Sequence, residues 1–250
     1  MPEPVGGRSA LVTGASRGIG LGIARMLAGR GFSLTVAARD AGRLATVADE
    51  LRCLGASRVV PVPGDLADQA YPAVLATSHR DAFGSLDCLV LSAGVGTAGN
   101  LADFPVERFD KTVAVNVRAP FLLVQECLPL LRAAALAHPD RGARVVALSS
   151  ITGVHAEPGL AAYGATKAAL NSLVETLNAE ESGRGVSATA LAPAYVETDM
   201  SAWVRDVVPA EEMIPVSDIV ELVAALVGLS ARSVVSRLVI SRAGTTGFGA

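Results

Sequence analysis

Tyr163 and Lys167, in the run Tyr163-Gly164-Ala165-Thr166-Lys167, are the first candidates for chemistry in this chain. On a helix that spacing puts both side chains on one face. A free phenol, with a reference pKa near about 10, is a weak acid–base group at neutral pH. A nearby ammonium favours the phenolate and brings that value down. The same spacing also describes a half-buried Tyr beside a solvated Lys, so the pair alone decides nothing. Upstream lie Ser149 and Ser150, where an apolar run that reads as a strand ends. A hydroxyl at the C-terminal end of a parallel strand stands where α/β sites are built, and it can donate to a carbonyl oxygen beside the phenol. Gly153, Pro158 and Gly159 let the intervening loop bend back over the sheet.

A second constellation is Thr13-Gly14-Ala15-Ser16-Arg17-Gly18-Ile19-Gly20, which follows one strand pattern and opens a helix pattern. In that context Gly14 allows a tight turn, Gly18 lets backbone N–H groups approach a pyrophosphate, and Gly20 lets helix and strand pack closely. The helix N-terminus adds unpaired N–H donors and the positive end of its dipole. The spacing is GxxxGxG rather than GxGxxG. The next strand ends in Ala37-Ala38-Arg39-Asp40. An NAD-selective site places a carboxylate near this point to bind the ribose 2′-hydroxyl; Ala38 holds the place here. Arg39 and Arg17 are able to flank a 2′-phosphate, with bidentate geometry available. The competing account is two surface arginines and an Asp40 that caps the following helix.

These motifs stand in a fixed order with others: GDL (Gly64–Leu66), SAG (Ser92–Gly94), VNV (Val115–Val117), SS (Ser149–Ser150), YGATK (Tyr163–Lys167) and PAYVETDM (Pro193–Met200). From about Arg8 to Ser241 the chain resembles the short-chain dehydrogenase/reductase family in its single-domain form, 3-oxoacyl carrier-protein reductases among its members. The resemblance implies a catalytic set of Asn116, Ser150, Tyr163 and Lys167. It implies that Asp65 and Leu66 border the adenine, and that Thr198 and the Val196 backbone hold the nicotinamide carboxamide. The expected cofactor-binding residues are Gly14, Ser16, Arg17, Gly18, Ile19, Gly20, Arg39, Asp65, Leu66, Ser92, Ala93, Gly94, Tyr163, Lys167, Pro193, Val196 and Thr198. In the implied reduction Ser150 and Tyr163 bond the carbonyl oxygen, Tyr163 supplies the proton, Lys167 tunes the phenol and grips the nicotinamide ribose, and Asn116 holds a relaying water. The arginines turn the expectation to NADP(H), with a carbonyl compound or secondary alcohol as substrate. The alternative is a catalytically silent NADP(H)-binding regulatory protein. An epimerase or dehydratase of related type needs a further C-terminal substrate domain, for which the chain has no room.

Three departures stand out. Ser92 replaces the family's Asn in NAG, which predicts weaker bracing of the sheet. Ala194 replaces the Gly of PG, where a methyl crowds the nicotinamide pocket if the backbone needs positive φ. Ser241-Arg242-Ala243-Gly244 stands where DGG is common.

The elements that must position these residues alternate along the chain. Strands are expected over Ser9–Thr13, Ser33–Ala38, Val59–Val62, Leu86–Leu91, Arg144–Ser149, Val186–Ala192 and Arg237–Ser241. Helices are expected over Gly18–Arg30, Ala41–Leu54, Tyr71–Phe83, Phe109–Ala135, Tyr163–Glu181 and Ser217–Leu229. This pattern predicts a Rossmann-type doubly wound parallel β-sheet with helices on both faces, in one NAD(P)-binding domain over residues 1–250. The segment Tyr195–Pro215 is the long insertion, expected as an amphipathic lid helix with Met200, Trp203, Val204, Val207 and Val208 on its apolar face. The two long helices, Phe109–Ala135 and Tyr163–Glu181, are expected to pair in a homotetramer or homodimer.

Of the 250 residues 51% are hydrophobic and 18% charged, which suits a sheet buried on both faces. No uninterrupted apolar run approaches the length of a membrane span, so no membrane association is expected. Met1–Gly7 carries no signal-peptide pattern. Cys53, Cys88 and Cys127 show no CxxC spacing and read as reduced thiols, which points to a cytoplasmic location. The net charge of −3, without Lys/Arg runs, makes nucleic acid a poor partner. His79, His138 and His155 share no ligand spacing, so no metal is expected.

Overall fold

The computed structural model describes residues 7–245. The reading of residues 1–6, and the end of the single-domain span at 246–250, lie outside the described residues. Strands β1 (Ser9–Thr13), β2 (Ser33–Ala38), β3 (Val59–Pro63), β4 (Cys88–Leu91), β5 (Ala143–Leu148), β6 (Val186–Pro193) and β7 (Arg237–Ile240) form one sheet in the order β3-β2-β1-β4-β5-β6-β7. Every pairing is parallel. The helices are α1 (Gly18–Gly29), α2 (Ala41–Cys53), α3 (Tyr71–Phe83), α4 (Val106–Val113), α5 (Ala119–Ala137), α6 (Ala161–Glu181) and α7 (Val216–Gly228).

Neighbouring strand residues point to opposite faces, so a strand buried on both sides must be apolar throughout. In β1, Val12 packs with Ile23 and Leu27 of α1, Leu44 of α2 and Ile219 and Val223 of α7. Leu11 packs on the other face with Leu75 of α3, Leu123 and Leu131 of α5 and Leu170 and Val174 of α6. The chain runs outward from β1 to β3 and then crosses back to β4 beside β1. That reversal opens a crevice at the C-terminal ends of β1 and β4, where open α/β sheets bind ligands. The edge strand β7 is only half covered, with Val239 exposed.

The long helix expected over Phe109–Ala135 is broken in register: α4 and α5 are joined by a single π-helical turn, Ala114–Arg118. Pro120 explains it. Proline has no N–H to give the Asn116 carbonyl, and its ring clashes with a carbonyl four residues back, so the ladder widens there. The whole run Val106–Ala137 reaches the length and mean hydropathy, 1.4, of a spanning helix, which the uninterrupted-run criterion did not register; half of its apolar window is buried within the fold.

The expected lid helix does not form. The segment after β6 makes two 3-10 turns, Asp199–Val204 and Ala210–Glu212, and returns to pair Val196 with Ile214. Pro209, between the turns, cannot continue a helix from the first one. The expected apolar face is split: Val204 and Val208 join Met213 and Tyr195 in a small core of their own, while Met200, Trp203 and Val207 stay exposed.

Candidate active site

The crevice is a cleft of about 770 Å³ running across the C-terminal edge of the sheet. Its floor begins at the β1–α1 turn. Gly14 (φ 68°) and Gly18 (φ 53°) hold left-handed conformations that L side chains resist. A Cβ on Gly14 would stand 3.0 Å from the backbone of Ala93, and one on Gly20 would overlap the Gly14 carbonyl oxygen. The glycines are therefore required by the fold of the cradle itself. Arg17 at the N-cap of α1 makes no side-chain cap hydrogen bond, and the first turn holds no acidic residue. The helix presents N–H donors to the cleft, as a phosphate requires.

The Thr13 hydroxyl braces this floor. It donates to the Val90 carbonyl (3.2 Å) and accepts from the amides of Ser92 (3.1 Å) and Ala93 (3.2 Å). The weaker bracing expected from Ser92 is met by Thr13, a residue the sequence reading did not single out.

At one end of the cleft Ala38 leaves space beside the exposed Arg39. Asp40 turns away: its Oδ1 accepts from the Arg43 amide (2.9 Å) and caps α2. Arg43, also missed in the sequence, folds over the cradle and donates from Nε to the Ser16 carbonyl (2.8 Å). Its signal was present, since an N-cap Asp fixes where the third helical residue points. Arg17 is placed differently from expectation. Its guanidinium pairs with Asp199 (3.1 Å), on the segment after β6. Asp65, Leu66 and Tyr71 line the facing wall.

At the other end Ser150, Tyr163 and Lys167 meet. Ser150 sits just past β5 and caps the 3-10 turn Ile151–Gly153. Its Oγ accepts from the Thr152 hydroxyl (2.9 Å) and amide (3.2 Å), so its own proton is directed elsewhere. Tyr163 and Lys167 project from α6 on one face, the ammonium 5.5 Å from the phenol ring centre. Burial pushes the Tyr163 phenol up to about 12, against a downward pull from the Ser150 hydroxyl. Burial pulls Lys167 down to about 8. Burial sets the direction, so the net shift of the phenol is upward, the opposite of the lowering expected from Lys167; the ammonium also donates to the Leu148 carbonyl (2.6 Å).

Asn116 lies in the π turn, buried behind Val95, and reaches the cleft only through that residue's backbone. Oδ1 accepts from the Val95 amide (2.9 Å), and Nδ2 donates to the Val95 carbonyl (3.0 Å) and the Thr166 hydroxyl (3.2 Å). A Cβ on Gly94 would stand 3.4 Å from Asn116 Oδ1 and 3.6 Å from Lys167 Nζ, so Gly94 keeps the space between them open. Ala194 raises no conflict: among the described residues no non-glycine has positive φ, and its amide donates to the Ile240 carbonyl (2.8 Å). Arg242, in the place of DGG, is largely buried 3.7 Å from Glu212. Ser16, Ile19, Pro193, Val196 and Thr198 all line the same cleft. Among the described residues no three His, Cys, Asp or Glu side chains gather as metal ligands.

The cradle glycines, the uncapped helix end and a cleft of this volume fit a dinucleotide. Comparison with known proteins agrees. The family model described as short chain dehydrogenase matches residues 8–208. A rhamnolipids biosynthesis 3-oxoacyl-[acyl-carrier-protein] reductase of Pseudomonas aeruginosa is 36% identical over 201 residues, covering 80% of this chain and 77% of that protein. A D-beta-hydroxybutyrate dehydrogenase of Rhizobium meliloti is 32% identical over 195 residues, covering 77% and 73%. Among solved structures, a 3-oxoacyl-[acyl-carrier protein] reductase from Brucella melitensis in complex with NAD aligns with a TM-score of 0.83 and 31% identity over 94% of each chain. A short chain dehydrogenase from Burkholderia cenocepacia in complex with NADP aligns with a TM-score of 0.82 and 30% identity, covering 94% and 95%. With its parallel sheet, glycine cradle and nicotinamide-binding neighbours, this chain belongs to the short-chain dehydrogenase family of oxidoreductases.

Proposed function

We propose that the protein is an NADP(H)-dependent reductase of partly apolar ketones, of the 3-oxoacyl type or close to it, acting through Ser150, Tyr163 and Lys167. The observation that carries the cofactor choice is the adenosine end of the cleft. Ala38 stands where a carboxylate would reject a 2′-phosphate, Asp40 is turned into its helix cap, and Arg39 and Arg43 flank the space. The named relative that reduces 3-oxoacyl carrier protein supports the substrate class. So does the apolar substrate end, walled by Leu160, Tyr195, Met200 and Trp203.

The nicotinamide, when bound, supplies the hydride. The protein's part is to hold the carbonyl and deliver a proton. Ser150, its acceptor sites filled by Thr152, donates a hydrogen bond to the carbonyl oxygen. Tyr163, protonated at neutral pH, donates its phenolic proton to that oxygen as charge develops there. Lys167 supplies positive charge beneath the phenol and a donor for the nicotinamide ribose. Asn116 fixes Val95 and thereby a part of the cleft floor that would carry the cofactor. Arg17, tied to Asp199, closes the pyrophosphate end rather than holding the 2′-phosphate alone.

The test is a panel of 3-oxo esters and simple ketones assayed with each nicotinamide. Wild type is expected to favour NADPH. A charge-assisted hydrogen bond contributes about 1.5–3 kcal/mol, so the double change Arg39→Ala with Arg43→Ala is expected to lower kcat/KM for NADPH by about 10²-fold. The value for NADH should stay within about threefold. Equal or better turnover of wild type with NADH refutes the assignment. No turnover with any ketone favours the silent nucleotide-binding alternative.

We also propose a location in the cytoplasm, as the free cysteines and chemistry fit, and assembly through α5 and α6. Phe121 is exposed beside a hollow lined by Val117, Leu170 and Leu173. Two copies related by a two-fold axis would each place Phe121 against the other's hollow. Light scattering at micromolar concentration should give a dimer or tetramer for wild type and a smaller species for Phe121→Glu; a monomeric wild type overturns it.

A further inference from the structure

The substrate end of the cleft has two walls from distant parts of the chain. One is the loop after β5, which carries Ser150 and runs into α6. The other is the segment after β6, which opens with Tyr195. A hydrogen bond joins them: the Tyr195 hydroxyl donates to Glu157 Oε1 at 3.0 Å. On its far side the Tyr195 ring is met edge-on by Trp203, with ring centres 6.0 Å apart and planes at 76°. Val204, Val208 and Met213 pack beneath it. The ring lines the cleft, and Glu157 stands behind it.

This carboxylate is held at a cost. Its Oε2 is buried without a hydrogen-bond partner, so the Tyr195 hydroxyl is the group that satisfies it. Glu157 as a whole is half-buried, but a carboxylate oxygen kept from water without a partner is unfavourable for stability alone, which asks for another reason for its presence. The consequence for the cleft is plain. Burial and Glu157 hold the Tyr195 phenol above its ordinary value, and Tyr163 adds to that rise, so the two phenols are neighbours. A free second phenol there would compete with Ser150 and Tyr163 for the carbonyl oxygen. With its proton engaged by Glu157, Tyr195 presents only its ring.

We propose that Glu157 is a positioning residue for the reaction assigned above: it holds Tyr195 by the hydroxyl, so that the ring forms the apolar substrate wall and the phenol is kept off the reacting carbonyl. The substrate this wall accepts is a ketone with one apolar substituent lying between Tyr195, Trp203 and Met200. The carbonyl oxygen is fixed by Ser150 and Tyr163 and the hydride comes from one side. The substituent placed against Tyr195 therefore decides which enantiomer of the alcohol forms.

The inference rests on the proposed function, so its test needs a measurement that does not. Trp203 is the chain's one tryptophan and reports on the Tyr195 ring beside it. Acrylamide quenching of Trp203 fluorescence is measured on the whole protein, without substrate, for wild type, Glu157→Ala, Glu157→Gln, Tyr195→Phe and Tyr195→Ala. Glu157→Ala is expected to raise the quenching constant about twofold, and Glu157→Gln, which keeps the acceptor oxygen, to leave it near wild type. With 3-oxo esters and NADPH, Glu157→Ala should raise the ketone KM about tenfold and erode the enantiomeric ratio, while kcat and the NADPH KM stay within about threefold. In a Tyr195→Ala background the same change should have no further effect. Unaltered quenching in Glu157→Ala, or equal damage with and without Tyr195, overturns the proposal. Should Glu157→Ala not fold, Tyr195→Phe, which removes the same bond, decides by the same two readouts. If wild type reduces no ketone, the assigned reaction fails, and the quenching series still decides whether Glu157 holds the ring.

Discussion

Tyr163→Phe is expected to lower kcat for ketone reduction by about 10²-fold or more while the KM for NADPH stays near wild type. The substitution keeps the ring that fills this part of the cleft wall and removes the one atom that can hand over a proton. In the proposed reaction the carbonyl oxygen gains negative charge as hydride arrives, and the phenol must neutralise it. Ser150 remains able to donate a hydrogen bond, so some stabilisation survives, and water is the only remaining proton source. Preorganised donors of this kind are worth about 10²–10³ in kcat each, which sets the scale of the loss. Loss of both groups, in Tyr163→Phe with Ser150→Ala, should cost less than the product of the single losses, because the two act on one oxygen.

The pH profile gives an independent check. Burial holds the Tyr163 phenol up near about 12, so it carries its proton throughout the working range. Lys167, pulled down to about 8, is the group that titrates in that range. As pH rises through about 8 the ammonium beneath the phenol is lost, and with it the charge that eases proton departure. Reduction by wild type should therefore fall above about pH 8, and the residual rate of Tyr163→Phe should lose most of that dependence. A near-normal kcat in Tyr163→Phe, measured by NADPH consumption under saturating ketone, would remove Tyr163 from the role of acid.

The sheet was legible in the sequence because a strand covered on both faces has no choice but to be apolar. SALVT, SLTVAA and RVVALS could not have been amphipathic surface elements, and each is a strand to within a residue or so. The cradle was legible for a similar reason: Gly14 and Gly20 are required by close backbone contacts and Gly18 by its positive φ, not by side-chain preference. What escaped the sequence reading was set by contacts between distant loops. Arg43 became visible only once Asp40 was seen to cap α2. Thr13 and Thr152 are ordinary residues until their hydroxyls are found orienting Ala93 and Ser150. The lid helix failed because periodicity cannot register that Pro209 divides the segment or that Val196 and Ile214 pair. The π turn carried a sequence signal, Pro120 four residues after Asn116, which the apolar helix pattern outweighed.

Lys167→Met should abolish most of the activity and, at pH 7, make the protein melt at a higher temperature. The activity loss, about 10²-fold or more in kcat with a raised NADPH KM, follows from removing both the charge beneath Tyr163 and the proposed donor to the nicotinamide ribose. The gain in stability follows from where the ammonium sits. Lys167 is 5% exposed, and burial alone draws it from 10.5 to about 8. Its folded-state pKa lies below its unfolded value, so below about pH 8 the amine is charged in both states and the folded protein bears the whole desolvation penalty. Between about 8 and 10.5 the unfolded chain binds a proton that the folded one does not, so stability rises with pH across that window. A shift from 10.5 to about 8 corresponds to about 3 kcal/mol at pH 7. The hydrogen bond to the Leu148 carbonyl, about 1.5–3 kcal/mol for a charged donor, offsets part of it. The net gain on substitution is about 0.5–2 kcal/mol, or a Tm higher by about 1–8 °C for a chain of this size. The advantage of Lys167→Met should shrink as pH rises from about 8 past about 10.5, above which the wild-type amine is neutral in either state. Melting curves without cofactor at pH 7 and pH 10 read it directly. A variant that melts below wild type at pH 7, or a difference that ignores pH, would mean that the Leu148 bond outweighs desolvation and that this lysine stabilises the fold it was expected to burden.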